Sequence, residues 1–540
     1  MKRTLAIAET GLILLVALAP VFASFPYRIN IFLSWEGAYR LSEGQVPYKD
    51  FGMPVGYMYW VMPAIFFKIF GAQMITLIKA QAFMNILAGF AFRSIFKSLG
   101  VQPAIRFSGV LLFCLSYSFI NYWPWYNHTV IVYELIALAF LFRYMLRATA
   151  KWSFIYPILA GGFTFFSFFT KQDAGALALL LCIALLVYHC YSQRKWLAIA
   201  YFLGGFALTA ALLILPVSGY GMGYWFNHGQ PPHSSRISPT DILKEFFISS
   251  QWLKFYLLII ALLLFTAKRT WKEFLTDHRG TLFTLLTLGI IAEAAIFQVT
   301  SYVPPDNNIF FHSFCFVFIL SLLAERLPIR FDTWKPVIVV VAGVFLWWSS
   351  VYWKYIERFI IKPGSETYAY EEHGGYNYAN VVNKNTYMIE LDTTAIPMNQ
   401  WRTPNLNSFR KISMPGPTVD GIERLLKLDL LKNKKDLVVL NMTELTPLAA
   451  EVPFRLETGS HYPLWFHKGV AMFDKETTMF TDRIKNNHYD LVLYEYIPYL
   501  NNFNPYKVRE SLLENYKKID SFPAPRNPSA KAWVEVYVKK

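Results

Sequence analysis

Apolar runs of roughly 20 residues, separated by short polar stretches rich in Lys and Arg, recur through the first 355 positions and are long enough to cross a bilayer as helices. They cover 5–24, 55–70, 74–98, 103–121, 128–147, 153–170, 175–192, 196–217, 252–267, 281–299, 309–324 and 336–355. The run 55–70 is short for a span and carries Pro63 and Lys68. If it crossed, Lys2 and Arg3 would face one side. Arg93/Lys97/Arg106, Arg143/Arg147/Lys151, Arg194/Lys195, Lys268/Arg269/Lys272 and Arg326/Arg330/Lys335 would face the other. If it lies along the surface, every basic cluster falls on the cytoplasmic side, as the positive-inside rule requires. The pattern therefore predicts about eleven transmembrane helices, with the N-terminus inside and the C-terminus outside. Beyond 356 the pattern changes. Lys435–Leu440 (KDLVVL), Tyr489–Leu493 (YDLVL) and Trp533–Val538 (WVEVYV) read as strands, and Asp420–Leu431 and Pro505–Ile519 have helical apolar spacing. The expected fold class is a polytopic α-helical membrane protein with a C-terminal soluble α/β domain. The expected domains are 1–355, whose first external loop is 25–73, and 356–540.

Composition agrees with a membrane protein: of 540 residues 55% are hydrophobic, 18% aromatic and only 16% charged. The net charge of +15 is explained by loops between spans, so no nucleic-acid partner is expected and membrane lipid is. Cys114, Cys182, Cys190 and Cys315 lie in or at the edge of apolar segments at no metal-ligand spacing, and the C-terminal part has no cysteine. Residues 1–24 fit either a cleaved signal peptide or a retained signal-anchor, and the many later spans favour the anchor. With this topology the external segments are 25–73, 122–127, 171–174, 218–251, 300–308 and 356–540. The polar clusters collect at that one face.

The first of these segments is the densest in chemistry. Ser34–Glu43 reads as a short helix with Ser34 as N-cap and Gly44 as its stop, and Glu36, Tyr39, Arg40 and Glu43 share a face. QVPYKDFGMP is a proline- and glycine-punctuated turn that presents Lys49 and Asp50. An apolar, aromatic run from Pro54 to Phe70 follows. The stretch WEGAYRLSEGQVPYKDFGMPVGYMYWVMPAIFFKIFG resembles the first external loop of the GT-C fold glycosyltransferases. That superfamily includes the protein O-mannosyltransferases and the lipid A aminoarabinose transferase. The shared features are an acidic residue soon after the first span, a tyrosine, a helix, a glycine, a PY-x-DF-like turn and a proline-led amphipathic helix ending in Phe70-Gly71. The resemblance covers about the first 200 residues. It implies an inverting transferase of a bacterial inner membrane, taking a sugar from a polyprenyl-phosphate donor to a glycan, lipid or protein acceptor on the periplasmic side. This chain departs from the pattern at one place: many relatives have Asp-Glu where it has Trp35-Glu36.

A transferase of this kind needs a carboxylate to take the acceptor hydroxyl's proton, and Glu36 and Asp50 both qualify by type. The plainer alternatives are a helical pair of Glu36 with Arg40 and a side-chain-capped turn at Asp50. The leaving lipid phosphate asks for cations at the membrane surface. Lys171 in FFTKQDAG is first, beside Asp173; an ion pair closing a helix end is the alternative. Lys49, Lys79 and Arg236 (in NHGQPPHSSR) follow. Tyr39, Tyr48, Trp125, Asn127, His128, Asp173 and His312 are expected to line the substrate, with an interfacial aromatic belt the ordinary explanation for Trp125 and its neighbours. Two carboxylates can hold a divalent cation, but the loop has no D-x-D, and His228, His233 and His312 share no ligand spacing. No metal or other cofactor is assigned.

Two rivals stand beside the transferase. A lipid-linked glycan flippase or other transporter would carry charges near the middle of several spans, and Glu134 and Glu293 are such charges. A non-enzymatic scaffold would use 356–540 to dock a partner and leave the acidic loop without a purpose.

Overall fold

The computed structural model describes residues 1–27, 31–118, 122–147, 152–226, 239–301 apart from 250 and 267–270, and 311–347 apart from 330 and 332. It also describes 349, 353, 396 and, with short gaps, 400–540. In chain order the longer elements are helix α1 (Lys2–Phe22), strand β1 (Phe25–Pro26), α2 (Ile31–Ser42), α3 (Met58–Phe70) and α4 (Met74–Ser98). Then follow α5 (Pro103–Phe113), α6 (Tyr126–Arg147), α7 (Ile155–Thr170), α8 (Gln172–Gln193) and α9 (Leu197–Ile214). The helical part closes with α10 (Pro239–Ser249), α11 (Gln251–Phe265), α12 (His278–Ser301), α13 (Phe311–Arg326) and α14 (Trp334–Trp347). Helices α1, α4, α6, α8, α9 and α12 are long and apolar enough to cross a membrane, and α10 with α11, bent by 85°, makes a seventh when the pair counts as one span. The other expected spans are helical over shorter stretches, and 119–121, 302–310 and much of 348–355 lie outside the described residues. Helix α3 has 13 residues, about 20 Å, against a hydrocarbon core of about 30 Å.

The chain forms two compact units. One comprises Met1–Pro20, Gln81–Pro216 and Arg236–Lys354; the other comprises Val21–Ala80, Val217–Ser235 and Tyr355–Lys540. This division differs from a break at 355, because the polar loop 25–73 belongs with the C-terminal part.

The first unit is a helical bundle. Its aromatic core includes Phe92, Phe96, Phe113, Phe283, Phe314 and Phe318, with Phe92 stacked on Phe113 at 4.5 Å and Phe283 edge-on to Phe318 at 4.7 Å. Helices α7 and α9 touch backbone to backbone: a Cβ on Gly161 would lie 2.0 Å from the Phe202 carbonyl oxygen, and one on Gly205 2.1 Å from that of Ile158. Such small-residue contacts replace hydrophobic driving force between helices in lipid. The fully buried Glu9 of α1 accepts hydrogen bonds from Arg93 of α4 (2.6 Å) and Arg106 of α5 (2.9 Å). These two arginines, read from the sequence as loop charges, tie three helices together.

In the second unit a three-stranded sheet of order β1-β3-β2 joins the residues after α1 to the C-terminal part. Its other strands are β2 (Trp401–Arg402) and β3 (Ile412–Pro415), and Phe25 pairs in parallel with Ile412. A mixed five-stranded sheet of order β5-β4-β6-β8-β7 carries the core. Its strands are β4 (Leu437–Met442), β5 (Phe454–Arg455), β6 (Leu491–Tyr496), β7 (Tyr516–Pro523) and β8 (Trp533–Lys539). Helices α15 (Gly416–Leu426), α16 (Phe473–Lys485) and α17 (Tyr506–Asn515) lie between the strands in sequence. The expected helix 505–519 ends at Asn515. Residues 516–523 instead pair antiparallel with β8, covering an edge that would otherwise present unpaired backbone groups.

Candidate functional site

Helix α2 starts at Ile31 rather than at Ser34, and Ser34 is buried within it. Gly44, at φ +83°, ends it with the left-handed conformation that glycine tolerates. Trp35 is fully buried: its ring stacks on Tyr39 at 4.5 Å and its indole N–H donates to the Ala72 carbonyl at 3.1 Å. Trp35 is thus a packing residue. Gly37 lets α2 approach α3, since a Cβ there would sit 2.1 Å from the Trp60 indole.

Glu36 is buried, and one of its carboxylate oxygens, Oε1, accepts from Arg40 Nε (2.9 Å) and Nη2 (2.8 Å). Arg40, 1% exposed, also donates to Gln45 Oε1 and to the Glu457 carbonyl, both at 2.8 Å. Its guanidinium lies 4.7 Å from the Tyr462 ring centroid and 5.7 Å from that of Phe51. Burial raises the Glu36 carboxyl above its ordinary value, and the Arg40 charge offsets part of that rise. Glu36 is therefore half of a buried ion pair, where the sequence alternative was a surface one.

Asp50 sits differently. Its Oδ2 accepts the Val46 backbone N–H at 2.7 Å, closing the turn, and the side chain is partly exposed. Tyr48, just before it, takes φ +65° and is fully buried, its hydroxyl donating to the Val55 carbonyl at 3.3 Å. Tyr48 is inside the turn rather than on its outer lining. Lys49 is exposed at the tip, with its ammonium 5.7 Å from the Tyr220 ring. Tyr39 is partly exposed and donates to the Ala449 carbonyl at 3.4 Å. Lys79 of α4 lies over the Phe70 ring at 4.7 Å. Glu36, Tyr39, Tyr48, Lys49, Asp50 and Lys79 all belong to the second unit.

The first unit holds a separate polar group. Lys171 joins α7 to α8, is 7% exposed, and pairs with Asp173 at 3.1 Å; its ammonium lies 5.8 Å from the Tyr126 ring and 5.1 Å from that of Phe297. Trp125, Asn127 and His128 are buried beside Tyr126 at the start of α6. The Trp125 indole N–H and Asn127 Oδ1 have no hydrogen-bond partner among the described residues. His312 is buried among aromatics, stacked on Phe311 at 4.2 Å with Nδ1 3.0 Å from the Tyr256 hydroxyl. Glu134 of α6 and Glu293 of α12 are buried neighbours. Arg236, His228, His233, Asp306 and Asn307 lie outside the described residues. Among the described residues no group of three or more His, Cys, Asp or Glu could hold a metal ion. Glu457, Tyr462 and Tyr220 escaped the sequence reading; each is brought to the loop by contacts that no local pattern encodes.

No family model matches the sequence, and no curated protein matches it. Solved structures do. ArnT from Cupriavidus metallidurans in the apo state is similar with a TM-score of 0.51 at 12% identity, over 98% of this chain and 97% of that one. Arabinofuranosyltransferase AftD from Mycobacteria is similar with a TM-score of 0.51 at 13% identity, over 100% of this chain and 40% of that one. At such identities the likeness speaks for the fold: with its apolar helices, this chain is an integral membrane protein of the GT-C fold.

Proposed function

We propose that the protein is an inverting glycosyltransferase that moves a sugar from a polyprenyl-phosphate donor to an envelope glycan, lipid or protein acceptor. In this reading about eleven helices cross a bacterial inner membrane, N-terminus inside, and the loop and C-terminal part face the periplasm. The GT-C fold and the loop's resemblance support it, but one observation carries it. Asp50 is a partly exposed carboxylate with one oxygen pinned by the Val46 N–H, next to an exposed lysine. Glu36, by contrast, is committed to Arg40.

Asp50 then acts as base. It takes the acceptor hydroxyl's proton as that oxygen attacks the anomeric carbon, while the bond from that carbon to the phosphate oxygen breaks on the opposite face. A single in-line displacement inverts the centre. Lys49 balances the charge developing on the departing phosphate. Lys171, in the other unit, is already paired with Asp173.

Mass spectrometry of envelope glycans and lipid carriers in a deletion strain, complemented with wild type or Asp50→Asn, tests this. Glycans short by one sugar, with the matching polyprenyl-phosphate sugar accumulating in both the deletion and the Asp50→Asn strain, are expected. Normal glycans in the Asp50→Asn strain would sink the assignment. The buried Glu134–Glu293 pair favours transport as a second reading. Complete precursors trapped on the inner leaflet, rescued by Asp50→Asn, would select it.

A further inference from the structure

We infer that Glu457–Leu464, a segment of the C-terminal part, is a positioning element of the candidate site, acting through Tyr462. This rests on the reading of Asp50 as base. The segment meets the turn 50–52 at one parallel bridge, Gly52 with Pro463, and through three backbone bonds. The Gly459 N–H donates to the Asp50 carbonyl (2.9 Å), the Gly52 N–H to the Tyr462 carbonyl (2.7 Å), and the Leu464 N–H to the Gly52 carbonyl (2.9 Å). Arg40 donates to the Glu457 carbonyl, and the Tyr462 ring covers its guanidinium. The outer side is tied down as well: Glu457 pairs with Arg483 of α16, and Tyr462 packs edge-on against Phe480 of the same helix at 6.1 Å.

The turn needs such support. Tyr48 is held at φ +65°, a conformation that persists in a bulky residue only where its surroundings over-determine it. Within the turn, Tyr48 N–H bonds to Phe51, Asp50 N–H and Lys49 N–H to Val46, and Val46 N–H to the Asp50 side chain; the Tyr48 hydroxyl donates to Val55, and the Gly221 N–H donates to the Tyr48 carbonyl at 3.2 Å. A base must sit within hydrogen-bond reach of the proton that it takes, and small misplacements of such groups cost large factors in rate. By docking on both sides of Asp50 and over Arg40, the segment fixes where the Asp50 carboxylate stands. The C-terminal part is then a working piece of the site, not an appendage.

The test uses the full-length protein with Tyr462→Ala and Tyr462→Phe. Two readouts are hydrogen exchange of peptides covering 46–53, with strands β4 and β6 as fold controls, and turnover of a panel of short-chain polyprenyl-phosphate hexoses and pentoses, with envelope extract of the deletion strain supplying the acceptor. Tyr462→Ala should raise exchange at 46–53 by about tenfold and lower kcat by about tenfold or more with donor KM little changed. Tyr462→Phe, which keeps the ring over Arg40, should behave as wild type in both. If Tyr462→Ala also exposes the fold controls, Tyr462→Leu, which keeps most of the buried volume, carries the same two readouts. Unchanged exchange at 46–53, or faster exchange with an unchanged kcat, overturns the inference. If wild type turns over no member of the panel, the transferase reading falls and the catalytic part of the inference falls with it. Unchanged exchange in Tyr462→Ala would then show that the segment does not hold the turn.

Discussion

Asp50→Asn and Glu36→Gln are near-isosteric changes at the two carboxylates of the loop, and the structure predicts opposite outcomes. In Asp50→Asn the amide oxygen can still accept the Val46 N–H that Oδ2 accepts at 2.7 Å, so the turn should persist at a cost of ~1 kcal/mol or less. The lost base should lower kcat by about 10²–10⁴-fold, or ~3–5 kcal/mol of activation free energy. Glu36→Gln removes the charge that faces two guanidinium nitrogens of Arg40. Arg40, 1% exposed, is left with the neutral acceptors of Gln45 and Glu457. Stranding a buried charge in this way costs ~3 kcal/mol, roughly 6–12 °C in Tm for a unit of this size. Thermal unfolding in detergent, read beside donor turnover, separates the two. The expected pair is a stable, inactive Asp50→Asn and a destabilised Glu36→Gln whose folded fraction still turns over. A Glu36→Gln protein with wild-type Tm and no turnover, beside an active Asp50→Asn, would refute the reasoning and move the base to Glu36.

Gly37→Ala places a methyl 2.1 Å from the Trp60 indole. Displacing that ring, whose N–H donates to Leu33 at 3.0 Å, should cost ~1–3 kcal/mol in a chemical-denaturation experiment. Burial alone would raise the Glu535 carboxyl, but hydrogen bonds from Arg509, Lys518 and Tyr537 outweigh it and hold it at about 2. Its pKa is depressed on folding, so it contributes stability above about pH 4.5 that is lost as pH falls through about 2. Glu535→Gln should flatten that part of the acid-unfolding curve, and an unchanged curve would contradict the bonding. Replacing Glu134 by Gln supplies an amide donor to the neighbouring Glu293 carboxylate. Tm should hold or rise and transferase turnover should stay unchanged, whereas a well-folded protein that loses function would favour transport.

What was legible in the sequence was the local and the periodic. Apolar runs mark the helices of the first unit, and Gly44 and Asp50 declare their turn roles by residue type. What stayed hidden came from contacts between distant residues. Nothing near Glu36 says that the Tyr462 ring and the Glu457 carbonyl will close over its partner Arg40. Nothing near Arg93 and Arg106 says that Glu9 waits on α1. Residues 516–523 carry Leu512-like apolar spacing onward from α17, and only the open edge of β8 makes them a strand. The cationic candidates divide for the same reason: Lys49 is left exposed, while Lys171 is enclosed by Tyr126, Phe297 and Asp173.

The bonds from Arg40 to the Glu457 carbonyl and from the Gly459 N–H to the Asp50 carbonyl join residues more than 400 positions apart. A ribosome therefore finishes the loop long before it makes the segment that clasps it. During that interval the turn lacks the bonds to Gly459, Tyr462 and Leu464, and closing so long a connection comes late in folding. The clasp thus sets an order in biogenesis: until Gly459, Tyr462 and Leu464 are made and docked, the turn that presents Asp50 stands without the bonds that they supply.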